Sequence, residues 1–249
     1  MIPLYGLATL LTVACIIHAV RTHQATTWIW VLAILFTFPF IGPLVYFGAI
    51  ILPGLMGSRS GRRAVRGLRD TLDPEGNLRR LENDVKITGD VGSRQRYADE
   101  LVRLGRAPEA VEIYKSCLTG VFAEDPKLLL GYARSLFAAG DAAGARRALD
   151  DLIGKNPDFK SADGHLLYAR ALESEGDFEK ALSEYATLAG YFPGAEAAVR
   201  YAKLLKRQGQ DGQARQVLEG LLDRAKYAPS HYKRAQRDWL DEAAAELRG

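Results

Sequence analysis

The chain has 249 residues, 48% of them apolar, and a formal net charge of +3, which suits one or two domains. That small charge hides an uneven split, because residues 1 to 69 hold six arginines and no acid, leaving 27 basic and 30 acidic residues behind them. The only cysteines, Cys15 in an apolar run and Cys117 far along the chain, exclude the disulfide framework of a small extracellular protein.

The first predicted element is a membrane hairpin over residues 1 to 56. Ile2 to Val20 is apolar apart from Thr9, Thr12 and His18, and a second run from Trp28 to Leu55 carries no charge. About 20 apolar residues span a bilayer core, so each run is long enough. The short RTHQATT loop between them forces an antiparallel pair. Removal of the first run by processing is the competing reading. It lacks the Lys or Arg of a signal peptide, and LTVAC, ending at Cys15, is like a lipoprotein site except for Thr12.

Within the second run, Trp28 and Trp30 precede Pro39-x-x-Gly42-x-x-x-Tyr46 and Gly48. This pattern resembles the two-helix N-terminal domain of the phospholipase D and cardiolipin synthase group, over roughly residues 5 to 55. The resemblance implies a hairpin placed ahead of cytoplasmic domains, and hence an anchor. Pro39 removes a backbone donor and should kink its helix, while Gly42 permits a close neighbour.

Arg59, Arg62, Arg63, Arg66 and Arg69 follow directly, against a lone Arg21 in the loop. The positive-inside bias therefore puts residues 56 to 249 in the cytoplasm of a two-pass protein of the bacterial inner membrane. The five arginines fall within about 120° of a helical wheel, with Val65, Leu68 and Leu72 opposite, so a helix here would set them against lipid headgroups. Gly57, Gly61 and Gly67 weaken that helix. A topology determinant alone remains an alternative, and no aromatic residues interleave the arginines to favour nucleic acid. The linker over 57 to 92 adds the apolar stripe Leu78, Leu81 and Val85, expected to cap the next domain at its N-terminal end.

From Tyr97 onward the chain repeats itself. YADELVRLG (Tyr97 to Gly105), YARSLFAAG (Tyr132 to Gly140), YARALESEG (Tyr168 to Gly176) and YAKLLKRQG (Tyr201 to Gly209) are spaced by 35, 36 and 33 residues. Each is followed by an alanine: Ala110, Ala145, Ala181 and Ala214. In the third copy Tyr168, Ala169 and Leu172 share one face of a first helix, Gly176 ends it, and Asp177 caps a second helix. Ala181 allows close approach, Leu182, Tyr185 and Leu188 make the buried stripe, and Pro193 breaks the chain. Equivalent breaks fall at Pro126, Pro157 and Pro229.

These positions resemble the tetratricopeptide repeat, over residues 93 to 228, with the family's Trp replaced by Arg94, Leu129, His165 and Ala198. The resemblance implies an all-α protein: a two-helix transmembrane hairpin followed by an α/α solenoid of about four repeats. It also implies a protein or peptide ligand in a concave groove. The residue after each Tyr-Ala, namely Asp99, Arg134, Arg170 and Lys203, is expected to face that groove. Lys206 and Arg207 extend a ladder of bases suited to an acidic or C-terminal-carboxylate peptide. The chaperone-binding carboxylate clamp also uses Asn, so that ligand does not carry over.

Residues 229 to 249 are expected to close the solenoid, with Tyr232, Ala235, Trp239 and Ala243 on one stripe of a helix running to Arg248. The same segment contains His231, Lys233 and Asp238 in HYKRAQRD, the His-x-Lys-x4-Asp signature of phospholipase D. A dimeric phospholipase D-like enzyme is therefore the alternative function. It needs a strand to bring His and Lys together and a second motif, whereas a helix sets i and i+2 about 200° apart. No phosphate loop, nucleophile elbow or metal cluster is evident, and His18, His23 and His165 are scattered. The expectation is a non-enzymatic, cofactor-free, membrane-anchored scaffold serving envelope or phospholipid biogenesis, with a homo-oligomer left open.

Overall fold

A computed structural model describes residues 73–248. The hairpin expected over 1 to 56 and the five arginines Arg59, Arg62, Arg63, Arg66 and Arg69 lie outside these residues. Among the described residues there is no strand, and no helix is long and apolar enough to cross a membrane.

The helices are α1 (Gly76–Thr88), α2 (Val91–Arg103), α3 (Ala107–Cys117), α4 (Pro126–Ala138), α5 (Ala142–Lys155), α6 (Ala162–Glu175), α7 (Phe178–Tyr191), α8 (Glu196–Arg207), α9 (Asp211–Tyr227), α10 (Ser230–Ala235) and α11 (Arg237–Arg248). A 3-10 turn, Gly120–Phe122, lies between α3 and α4. Helices α2 to α9 form four antiparallel hairpins, each packed on its sequence neighbours.

The repeated residues account for each hairpin. Gly105, Gly140, Gly176 and Gly209 adopt φ of 77°, 89°, 85° and 73°, the left-handed region that a Cβ disfavours. The next amide folds back onto the helix just ended, as in Asp177 N–H to Leu172 O at 3.0 Å and Asp141 N–H to Leu136 O at 2.9 Å. Asp141 and Asp177 then accept from Gly144 and Lys180 amides to cap α5 and α7. Ala98, Ala133, Ala169 and Ala202 on first helices, and Ala110, Ala145, Ala181 and Ala214 on second helices, are fully buried. Only a methyl fits between two helices that approach this closely.

Around these alanines the core divides into successive clusters rather than one centre. Leu101, Tyr114 and Leu128 sit in the first, Leu136, Leu149 and Leu152 in the next, then Leu172, Tyr185 and Leu188, and finally Leu205, Leu218 and Leu221. Leu78 of α1 joins the first cluster, so the N-terminal cap packs as expected. Cys117 is buried there, and its thiol is pushed up by desolvation.

The C-terminal end departs from the sequence expectation in two respects. Residues 232 to 248 are not one helix: Gln236 interrupts them, and its Oε1 accepts from the Ala195 amide at 2.9 Å, serving the start of α8, which lacks a side-chain cap of its own. The buried anchor of α11 is Ala243, whereas Trp239 is only partly buried, beneath the Arg200 guanidinium 5.2 Å from its ring centre.

Candidate functional site

The first helices of three consecutive hairpins, α4, α6 and α8, bring Arg170, Arg200 and Arg207 around a recess of about 530 Å³ that also includes Phe137, Glu173 and Phe178. Helix periodicity sets this up, because a residue at the same place in each repeat recurs on neighbouring helices. Arg134, Arg170 and Lys203 hold such equivalent places. The solenoid does not line them up as free bases, however, since acids from other repeats interleave with them.

Arg134 approaches Asp163 of α6 at 3.6 Å. Lys203 donates to Glu242 at 2.7 Å, and Lys206 reaches both the Glu246 backbone oxygen at 2.5 Å and its carboxylate at 3.1 Å, so α11 engages both lysines. Arg207 donates to Glu173 at 2.7 Å and lies over Phe178. Asp99 accepts from the Tyr114 hydroxyl at 2.5 Å, fixing a side chain that is fully buried. Burial and Asp99 together push the Tyr114 phenol up, so it remains a donor.

Arg170 differs. It is half-buried with its guanidinium 4.7 Å from the Phe137 ring centre, and it makes no hydrogen bond or ion pair among the described residues. Burial lowers its pKa from the ordinary value, and the like charge of Arg200 adds to that. Arg200 is itself bound to Glu196 at 2.7 Å. Nearby, Glu173 is held from two sides, accepting from the buried Tyr185 hydroxyl at 2.9 Å as well as from Arg207. Desolvation, then Glu173, raises the Tyr185 pKa and keeps that donor protonated. The recess thus sets aromatic rings and three arginines beside Glu173 and Glu175, and leaves one guanidinium, that of Arg170, without a hydrogen-bonding acceptor among the described residues. An anion there would relieve the Arg170–Arg200 repulsion and supply the acceptor Arg170 lacks.

Sequence reasoning singled out Arg170 and Arg207 but missed Arg200, which lies just before the Tyr-Ala of its own copy and enters the recess from the neighbouring repeat. It missed the aromatic walls as well. Phe137 and Phe178 lie on different hairpins, and only the stacking of repeats places both beside arginines.

The phospholipase-like residues do not converge as a catalytic pair. His231 and Lys233 lie on the short α10 and Asp238 lies on α11, with His231 and Asp238 exposed. The Lys233 ammonium donates to the Lys226 backbone oxygen at 2.7 Å. Among the described residues no cluster of His, Cys, Asp and Glu has a metal-binding arrangement.

Comparison with known proteins agrees with this architecture. The family described as Tetratricopeptide repeat matches residues 101–171 and 136–198, and the family described as Phospholipase_D-nuclease N-terminal matches residues 10–47. Among solved structures, a thermophilic tetratricopeptide-repeat protein of Thermus thermophilus is similar at 18% identity and TM-score 0.55, covering 69% of this chain and 89% of that one. MamA, from residue 41 to its end, of Desulfovibrio magneticus is similar at 15% identity and TM-score 0.54, covering 67% and 95%. A further MamA structure gives 19% identity, TM-score 0.52 and coverage of 68% and 98%. At these identities the likeness concerns the fold. No curated protein sequence matches the chain.

Proposed function

We propose that this tetratricopeptide-repeat chain, with an N-terminal segment like that of phospholipase D-type nucleases, is a membrane-anchored scaffold that holds an acidic segment of a protein partner. The observation that carries this reading is Arg170: a half-buried guanidinium without a hydrogen-bonding partner, walled by Phe137 and facing Arg200. An interaction module in which successive repeats present side chains to one groove suits recognition of an extended chain. Anchoring by residues 1 to 56, a cytoplasmic repeat domain and a role in envelope or phospholipid biogenesis belong to the same proposal. They rest on the apolar runs, the arginine asymmetry and the matched N-terminal segment. The arginines Arg59 to Arg69 then meet anionic lipid headgroups.

Crosslinked capture from intact bacterial membranes tests the reading. The full chain should enrich a partner, and Arg170→Glu combined with Arg200→Glu should abolish that capture while leaving helicity and membrane insertion unchanged. Undiminished capture by the double variant, with unaltered salt dependence, would refute the groove. Arg134→Glu is a milder test, because Arg134 already has Asp163 beside it.

A further inference from the structure

Along the row of first helices the bases are claimed by acids one after another. Arg134 faces Asp163, Lys203 faces Glu242 and Lys206 faces Glu246, while inside the arginine recess Arg200 is bound to Glu196 and Arg207 to Glu173. Glu175, which also lines the recess, is held by Arg146 of α5 at 2.9 Å, and Arg146 engages Asp150 as well. A base paired in this way presents little net charge to a ligand. Among the charged residues that line the recess, each glutamate has its own base, and Arg170 is the base without a carboxylate of its own.

This arrangement limits how much negative charge a ligand can bring. One carboxylate matches the Arg170 fork, which can meet both of its oxygens. A second negative charge finds no unclaimed cation there, because the nearby Arg200 and Arg207 already serve Glu196 and Glu173. It would instead meet Glu173 and Glu175, whose carboxylates line the same recess. Glu173 has no easy way to withdraw, being held by the buried Tyr185 hydroxyl as well as by Arg207. The faces of Phe137 and Phe178 are covered by Arg170 and Arg207, so charge rather than apolar contact decides what enters.

We infer that the recess accepts one carboxylate, from an aspartate or glutamate side chain of the partner segment, and discriminates against a phosphorylated residue at the same place. The inference rests on the reading of this groove as the site for an acidic segment, and it narrows the chemistry of that segment. A phosphomonoester at neutral pH carries nearly two negative charges, of which Arg170 compensates one. Phosphorylation of the partner within this segment therefore weakens the complex rather than creating it. Glu173 and Glu175 act as the residues that set this specificity.

The test is NMR titration of the full chain, in detergent and with labelled arginine side chains, using pentapeptides capped at both ends that carry aspartate, phosphoserine or asparagine between glycines. The aspartate peptide should shift the Arg170 side-chain signal saturably, and the asparagine peptide should not. The phosphoserine peptide should bind about fivefold more weakly than the aspartate peptide, the scale of one exposed charge pair. Arg170→Gln should abolish binding of both acidic peptides. Glu175→Gln removes one of the opposing carboxylates and should close the gap between aspartate and phosphoserine; if the Arg170 variant does not fold, this exposed position supplies the decision. Phosphoserine binding as tightly as aspartate or more so, or a gap unchanged by Glu175→Gln, would overturn the inference and leave the acidic-segment reading standing. No saturable shift with either acidic peptide, or equal binding of the asparagine peptide, would remove both.

Discussion

Gly131 offers a sharp test of how tightly successive hairpins pack. It is buried in the middle of α4, and a Cβ built there would overlap the Tyr114 ring carbons and lie 2.6 Å from its hydroxyl oxygen. The ring has little freedom to yield, being 1% exposed and tied through its hydroxyl to Asp99 at 2.5 Å. In an exposed helix, Gly→Ala would gain about 1 kcal/mol of helix propensity. Overpacking a rigid core costs about 1 to 3 kcal/mol, and simultaneous overlap with ring carbons and hydroxyl puts this site at the upper end. Gly131→Ala should therefore destabilise by about 1 to 2 kcal/mol net. The full chain in detergent should unfold earlier in urea, followed by far-ultraviolet circular dichroism. In a Cys15→Ser background, alkylation of Cys117, which lies one turn beyond Tyr114 and is buried with it, should accelerate about five- to thirtyfold. Tyr114→Leu will itself destabilise by leaving a cavity, but in that background Gly131→Ala should become stabilising, by about 1 kcal/mol. A stabilising effect of Gly131→Ala beside an intact Tyr114 would refute the packing argument.

Trp239→Ala should cost only about 1 to 3 kcal/mol, below the range for a fully buried ring, because the side chain is partly exposed under Arg200. A loss near 5 kcal/mol in the urea melt, about the ceiling for a buried Trp, would show a more enclosed ring than this fold provides. Acid should weaken the first repeat: the Ser93 amide holds the Asp90 carboxyl below the usual range, and Arg103 does the same for Glu100. Both shifts are downward, so their stabilisation is present above the ordinary carboxylate pKa of about 4 and is lost as pH falls below it. Melting temperature measured against pH should show that acid limb, and Glu100→Gln should flatten it; an unchanged limb would assign the loss elsewhere. For topology, a reporter active only in the cytoplasm should work after Gly249 and one active only outside should work near Gln24; the reverse pattern would overturn the proposed orientation.

The solenoid was legible in the sequence because its determinants are local. A left-handed Gly at each hairpin and a methyl-sized residue at each close helix contact recur at a nearly fixed spacing. Backbone sterics at those points hardly depend on the rest of the chain. The same reasoning could place Arg170 and Lys203 at equivalent positions, but not say which of them remains without a partner. The acids that engage the other bases come from far along the chain: Glu242 is 39 residues from Lys203, Glu246 is 40 from Lys206, and Glu173 is 34 from Arg207. Those separations are about one repeat, so the pairing is created by stacking and is invisible to any local pattern. Stacking likewise brings residues of α5, α6 and α7 around His165. It also drew Gln236 to the Ala195 amide, interrupting what reads as one amphipathic helix. The sequence alone determined the repeat and its fold, through short-range sterics and periodicity; tertiary structure decided which charges and cavities remain available to a partner, because those depend on side chains one repeat away.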